Sequence, residues 1–150
     1  MDKRQLLYDL RHRIYCRIRA SRLSGVGVFA IRTIPKGTDP FESSHAVRLI
    51  GITEKEFKTL SAPIKKIVKD FCFYKNRMYF LPDCGLNAID IAHFINYSDT
   101  PNMRAAEGRD GDVYFIANRS IKTGEELTAN YLAYSEEKHI NRRMVKKPRK

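Results

Sequence analysis

Cysteine is scarce in this chain of 150 residues, and the three that occur, Cys16, Cys72 and Cys84, are far apart. No C-x-x-C pair exists, which argues against a zinc cluster or a disulfide framework; buried, reduced thiols are expected instead. Long apolar runs are also missing. No stretch approaches the roughly 20 residues needed to cross a bilayer. The N-terminus, with Asp2, Lys3, Arg4 and Asp9, lacks the apolar segment of a signal peptide. The expectation is a soluble intracellular protein with no membrane partner, cytoplasmic or nuclear. Gly25 and Gly27 are followed by no third glycine and no helical pattern, so they are not a dinucleotide fingerprint.

What is present is the composition of one globular domain: 43% hydrophobic and 30% charged residues. The formal charge of +11 is unevenly spread. Residues 23–135 carry 14 Lys and Arg against 13 Asp and Glu, whereas residues 1–22 and 136–150 together carry 14 against 4. The reading is a nearly neutral domain over 23–135 between a basic N-terminal extension, 1–22, and a basic C-terminal tail, 136–150. Such tails are either solvated or drawn to a polyanion such as nucleic acid. Lys146-Lys147-Pro148-Arg149-Lys150 has the composition of a nuclear localisation patch.

Along the chain, Leu6, Leu7, Leu10, Ile14 and Ile18 fall at helical spacing, and Tyr15 to Ala20 is expected as a strand after that helix. Leu23 to Ala30 reads as a turn entering a strand, in which the two glycines admit unusual backbone geometry and close approach of a ligand. Pro35-Lys36-Gly37 is a turn, with short strands predicted near Asp39 to Phe41 and Val47 to Ile50. Thr53-Glu54-Lys55-Glu56 is a capping box. Ser61-Ala62-Pro63 opens a second helix whose Ile64, Ile67, Val68 and Phe71 predict a core-facing stripe; together they form a helical insert over 53–73. A strand is expected over Phe73 to Leu81 and a short helix over Asn87 to Phe94, with Ile91 and Ala92 buried. A hairpin is expected around Arg109-Asp110-Gly111 and a last strand over Glu126 to Tyr131. The fold class is mainly β with short helices (α+β), in several small sheets.

The densest polar turn is His93-Phe94-Ile95-Asn96-Tyr97-Ser98-Asp99-Thr100-Pro101-Asn102, in which Asn, Ser and Asp favour side-chain-to-backbone bonds around a proline. Preceded by Gly25-Val26-Gly27 and followed by Gly124-Glu125-Glu126-Leu127-Thr128-Ala129-Asn130-Tyr131, it resembles the SET domain of protein lysine methyltransferases. That family's pattern is G-x-G, N-H-S-x-x-P-N and G-E-E-L-T-x-x-Y, in this order. The resemblance runs from about Leu23 to Tyr134. Among SET proteins it is most similar to the small viral and bacterial type, without a cysteine-rich zinc module after the final tyrosine.

The resemblance implies a SET fold with small sheets around a C-terminal pseudoknot, S-adenosylmethionine (AdoMet) as cofactor, no metal, and a lysine in an extended protein segment as substrate, a histone among the candidates. It places Tyr131 in the channel where the amine meets the methyl group, with Tyr79 as a second channel tyrosine or else a core residue. Gly25, Val26, Gly27, Phe29, His93, Asn96 and Tyr97 would contact the cofactor, with Tyr134 capping its pocket; Asn102 would be structural. The substrate would lie beside residues 41–50 and the helical insert. Two positions depart from the pattern: Tyr97 stands for the family histidine and Asp99 for the cysteine after the serine. The small viral type pairs as a homodimer, which the resemblance raises here. The competing reading is a non-catalytic SET-like module that binds nucleic acid or protein through its basic ends.

Overall fold

The structure, a computed structural model, describes residues 2–42, 48–107 and 113–136. They fall into two units, one from 2–42, 90–107 and 113–130, the other from 48–89 and 131–136.

The first unit opens with helix α1 (Lys3–His12), capped by Asp2, whose carboxylate accepts from the Gln5 amide at 2.8 Å. Strand β1 (Cys16–Ala20) follows, one residue shorter than expected, and pairs antiparallel with β2 (Val26–Ala30) over its whole length. After the sheet comes no strand near Asp39. The Gly37 amide donates to the Ala117 carbonyl at 2.8 Å and the Thr38 carbonyl accepts from the Ala117 amide at 2.9 Å, while Asp39 Oδ1 accepts from the Phe41 amide at 2.8 Å, a side-chain turn that Pro40 reinforces. The helix predicted over Asn87 to Phe94 is two 3-10 turns, Leu86–Ala88 in the second unit and Ile91–Phe94 here. Asp90 separates them by capping the Ala92 amide at 2.9 Å, and Ile91 and Ala92 are only half-buried.

Two-residue β6 (Asn96–Tyr97) runs parallel to β9 (Glu126–Ala129), giving a four-stranded sheet in the order β1-β2-β9-β6. β7 (Met103–Glu107) and β8 (Val113–Ala117) form the expected hairpin, whose turn lies outside the described residues. Val28, Ile34, Met103, Ile121 and Leu127 are fully buried in this unit. β9 stops at Ala129, two residues before the predicted end, so Tyr131 starts a 3-10 turn instead of closing a strand.

The second unit is a three-stranded antiparallel sheet, β3-β5-β4, carrying two helices. β3 (Leu49–Thr53) runs directly into α2 (Glu54–Thr59), whose capping box is complete: Thr53 and Glu56 exchange bonds of 3.3 and 2.8 Å. In α3 (Ala62–Phe71) Val68 is buried, but Ile64 and Ile67 are 42% and 38% exposed, so the stripe covers less than its spacing implied. The single strand expected over Phe73 to Leu81 is a hairpin, β4 (Phe73–Lys75) and β5 (Met78–Pro82), turned by Asn76 and Arg77 at φ 52° and 61°. Val68, Cys72 and Tyr79 form its core, with Ile52, Phe57 and Leu81 packed around them. The thiols differ from expectation: Cys72 is buried and Cys16 half-buried, but Cys84 is exposed. Burial pushes the Cys16 and Cys72 thiols up to about 12.

Candidate functional site

The first unit holds all of the predicted cofactor residues except Tyr134, and the Asn96 amide joins its glycine loop to β9. Asn96 Nδ2 donates to the Ser24 carbonyl at 3.3 Å, the Val26 carbonyl at 3.0 Å and Glu126 Oε1 at 2.7 Å. Three acceptors on one side fix the amide's orientation, so Oδ1 faces the other way. No donor among the described residues meets that oxygen.

The two glycines serve different physical ends. Gly25 sits at φ +48°, where a side chain would be strained. Gly27 has no space: a Cβ there would lie 2.1 Å from Glu126 Oε1 and 2.9 Å from Asn96 Nδ2. Val26 between them is exposed, and Phe29, at the register opposite Arg17 and Glu126, lies beneath the Arg19 guanidinium at 5.2 Å.

His93 lies in the 3-10 turn just before Asn96, its Nδ1 3.0 Å from Asp90 Oδ1. That hydrogen bond, ahead of the opposing effect of burial, holds the Asp90 carboxyl below its ordinary range. It also leaves the ring's Nε2 without a partner among the described residues. Tyr97 follows Asn96, and its hydroxyl bonds to the Asp99 carboxylate, which raises the phenol above the usual tyrosine range. The two departures from the family pattern thus bond to each other.

The second unit holds the other predicted tyrosines, Tyr79, Tyr131 and Tyr134. Tyr131 is half-buried, and its carbonyl accepts from the Tyr134 amide at 3.2 Å and the Ser135 amide at 2.9 Å. The Tyr131 and Tyr134 rings are 6.0 Å apart, and Tyr134 also meets Phe73 edge-on at 6.4 Å. Burial, with the neighbouring Tyr131 next in importance, pushes the Tyr134 hydroxyl well above the usual tyrosine range. Tyr79 is 5% exposed, stacked on Phe57 at 4.3 Å and tilted against Tyr74 at 4.8 Å. Its ring belongs to the core. A concavity of about 550 Å³ in the same unit is lined by Thr53, Glu54, Lys55, Lys58, Asn76, Arg77 and Met78, and so by none of the predicted site residues.

Sequence reasoning missed Ser21 and Glu126. Ser21 Oγ donates to the Glu126 carboxylate, 2.8 and 2.9 Å from its two oxygens, and accepts from the Leu23 amide at 2.9 Å. The available signal was the paired glutamates of G-E-E, since neighbours entering an extended segment face opposite sides. Glu125 spends its carboxylate on the Lys122 amide and Arg119 at 2.7 and 2.8 Å, while Glu126 turns toward the glycines.

Small antiparallel sheets, one parallel strand pair beside a glycine loop, and a tyrosine turn after β9 define an α+β domain. The SET domain family model matches residues 25–132, and the chain belongs to that family. SET domains are generally protein lysine methyltransferases that use AdoMet. Among solved structures, 243 chains match. One is a Plasmodium falciparum protein described as a candidate histone methyltransferase, 18% identical with a TM-score of 0.53, covering 83% of this chain and 96% of that one. At that identity the likeness is one of fold. No curated protein sequence matches the chain. No helix among the described residues is long and apolar enough to cross a membrane.

Proposed function

We propose that this protein transfers methyl from AdoMet to a lysine side chain of another protein, a histone being the favoured substrate class. The observation that carries the reading is Asn96. Its amide nitrogen is consumed by the chain, and its Oδ1 is presented to an external donor such as the ammonium of an amino-acid moiety. His93 Nε2 is the matching group for a carboxylate, and exposed Ser24, Gly25 and Val26 offer backbone to the rest of the ligand. Phe29 and Tyr97 supply ring surface, and Tyr134 an apolar cap. AdoMet, when bound, supplies a methyl group activated on sulfonium.

Tyr131 has the orienting role. A lysine near pKa 10.4 is mostly protonated at neutral pH and must lose its proton to react. Desolvation and a nearby cation both favour the neutral amine, and the Tyr131 hydroxyl holds that amine in line. Tyr79 contributes through its hydroxyl only, because its ring is committed to the core.

The proposed SET domain spans 23–135, with 53–73 as the insert beside which the substrate lies and basic stretches 1–22 and 136–150 as its flanks. β1, drawn from the N-terminal flank, is hydrogen-bonded to β2 as part of the sheet. The parallel β6–β9 pairing, and Asn102's bonds to β9, support a threaded C-terminal segment. A homodimer is part of the proposal, to be read from the mass in solution. The mutual bond of Tyr97 and Asp99 favours the enzyme over a non-catalytic module, since the two departures compensate each other.

Tyr131→Phe tests the reading. The variant should bind AdoMet as the wild type does in calorimetry, yet transfer labelled methyl to histones about a hundredfold more slowly or worse. Unchanged transfer removes Tyr131 from the mechanism, and a wild type that binds no AdoMet removes the enzyme reading.

A further inference from the structure

Glu126 opens β9, and its carboxylate ties together three segments distant in sequence. Both oxygens accept from Ser21 Oγ, at 2.8 and 2.9 Å, and Oε1 also accepts from Asn96 Nδ2 at 2.7 Å. Ser21 in turn accepts from the Leu23 amide at 2.9 Å, and its own amide donates to the Gly25 carbonyl at 3.0 Å. One carboxylate therefore sets the turn over 21–25, the glycine strand and the Asn96 amide. Gly27 is the space it occupies, since any Cβ there would collide with Oε1.

A purely structural clamp needs acceptors here, which a glutamine could supply in part. Glu126 supplies a charge instead, in a half-buried position, and no Lys or Arg among the described residues pairs with it. The donors that meet this carboxylate, the Ser21 hydroxyl and the Asn96 amide, are both neutral. The route outward is the Asn96 amide: a charge-assisted bond to Nδ2 polarises the group and makes Oδ1 the richer acceptor.

We infer that Glu126 is a positioning residue for the cofactor, fixing Asn96 and strengthening its Oδ1 toward the ammonium of the cofactor's amino-acid end. The inference rests on the reading of Asn96 as a cofactor contact. It differs from a general stabilising role in one respect: it concerns only ligands that carry that ammonium.

The experiment is calorimetric titration of wild type and Glu126→Gln with two nucleosides. S-adenosylhomocysteine carries the amino-acid end without a transferable methyl; 5′-methylthioadenosine lacks that end. Glu126→Gln should weaken S-adenosylhomocysteine by about tenfold, the scale of one charge-assisted bond, and leave methylthioadenosine unchanged. Equal losses for both ligands, or no loss for either, overturn the inference. A wild type that binds neither nucleoside overturns the cofactor reading and this inference with it, an outcome distinct from the previous two. Gly27→Ala gives a second route should Glu126→Gln fail to fold. Its Cβ lands 2.1 Å from Oε1 and must dislodge the carboxylate, so S-adenosylhomocysteine binding should fall similarly. Where both variants fold, combining them should cost little beyond either alone, and additive losses count against the shared mechanism.

Discussion

Asn96 and Asn102 stand six residues apart and use the same side chain in opposite ways. Asn96 spends one end of its amide on the chain, and its Oδ1 meets no donor among the described residues. Asn102, 4% exposed, spends both. Its Nδ2 donates to the Glu126 carbonyl at 2.8 Å and its Oδ1 accepts from the Thr128 amide at 2.9 Å, so the side chain takes the place of a neighbouring strand along β9. Removing it leaves a backbone donor and an acceptor unpaired in a buried ladder, each worth about 1–3 kcal/mol when stranded. Asn102→Ala should therefore lower unfolding free energy by about 2–4 kcal/mol in urea denaturation at unchanged slope. A loss under about 0.5 kcal/mol would mean that water replaces the amide and that Asn102 has no such role. The structural role of Asn102 was legible in the sequence because a motif named it. Glu126 sits in an equally visible motif, yet its role was not legible, because it depends on Ser21, 105 residues away in sequence, closing the other side of the carboxylate.

At the scale of elements, local chemistry that acts over three or four residues was readable and chemistry that acts through the backbone was not. The Thr53–Glu56 capping box is decided by side chains next to the helix it starts. The β4–β5 hairpin was read as one strand because its turn is Asn-Arg, where Asn-Gly would have announced it. Both turn residues are left-handed, and for Arg77 that conformation is unfavourable. The Glu54 carboxylate, 3.1 Å from Arg77 Nη2, and the Glu136 carboxylate, accepting from the Asn76 amide at 3.1 Å, hold the turn in place. Since the Arg77–Glu54 pair is largely exposed, screening leaves it little worth. Arg77→Gly should accordingly raise Tm by about 2–4 °C, the relief of left-handed strain outweighing a surface pair. A lower Tm in calorimetry would show that the ion pair, not the backbone, dominates this turn. Asp90 is the local signal that was missed: its side chain bonds the Ala92 amide two residues on, and the helix expected over Asn87 to Phe94 is two 3-10 turns.

At the scale of the whole molecule the question is where the positive charge acts. The order of three motifs was enough to read the family and its small sheets, because each motif is a short segment with its own backbone demand. The tails were readable only as charge. The structure now distinguishes them in part. Within the N-terminal stretch Arg13 lies 3.6 Å from Asp9 and 5.8 Å above the Tyr8 ring, and Arg19 covers Phe29, so these two cations have partners in the first unit. Beyond Glu136 the chain lies outside the described residues, and residues 137–150 contain seven Lys and Arg against one Glu. If the protein meets a polyanion, this is the segment whose removal should be felt most. A chain ending at Glu136 should bind duplex DNA more weakly at low salt. The slope of log K against log salt should flatten by at least about 3, as each phosphate contact contributes about 0.9 to it. Methyl transfer to a short histone peptide should be unaffected, since a peptide carries no phosphate for the tail to hold. Loss of transfer to nucleosomes with retention on the peptide would place the tail in substrate delivery. Unchanged DNA affinity would instead leave the C-terminal charge as a solvated tail, and would return any polyanion contact to the arginines of β1.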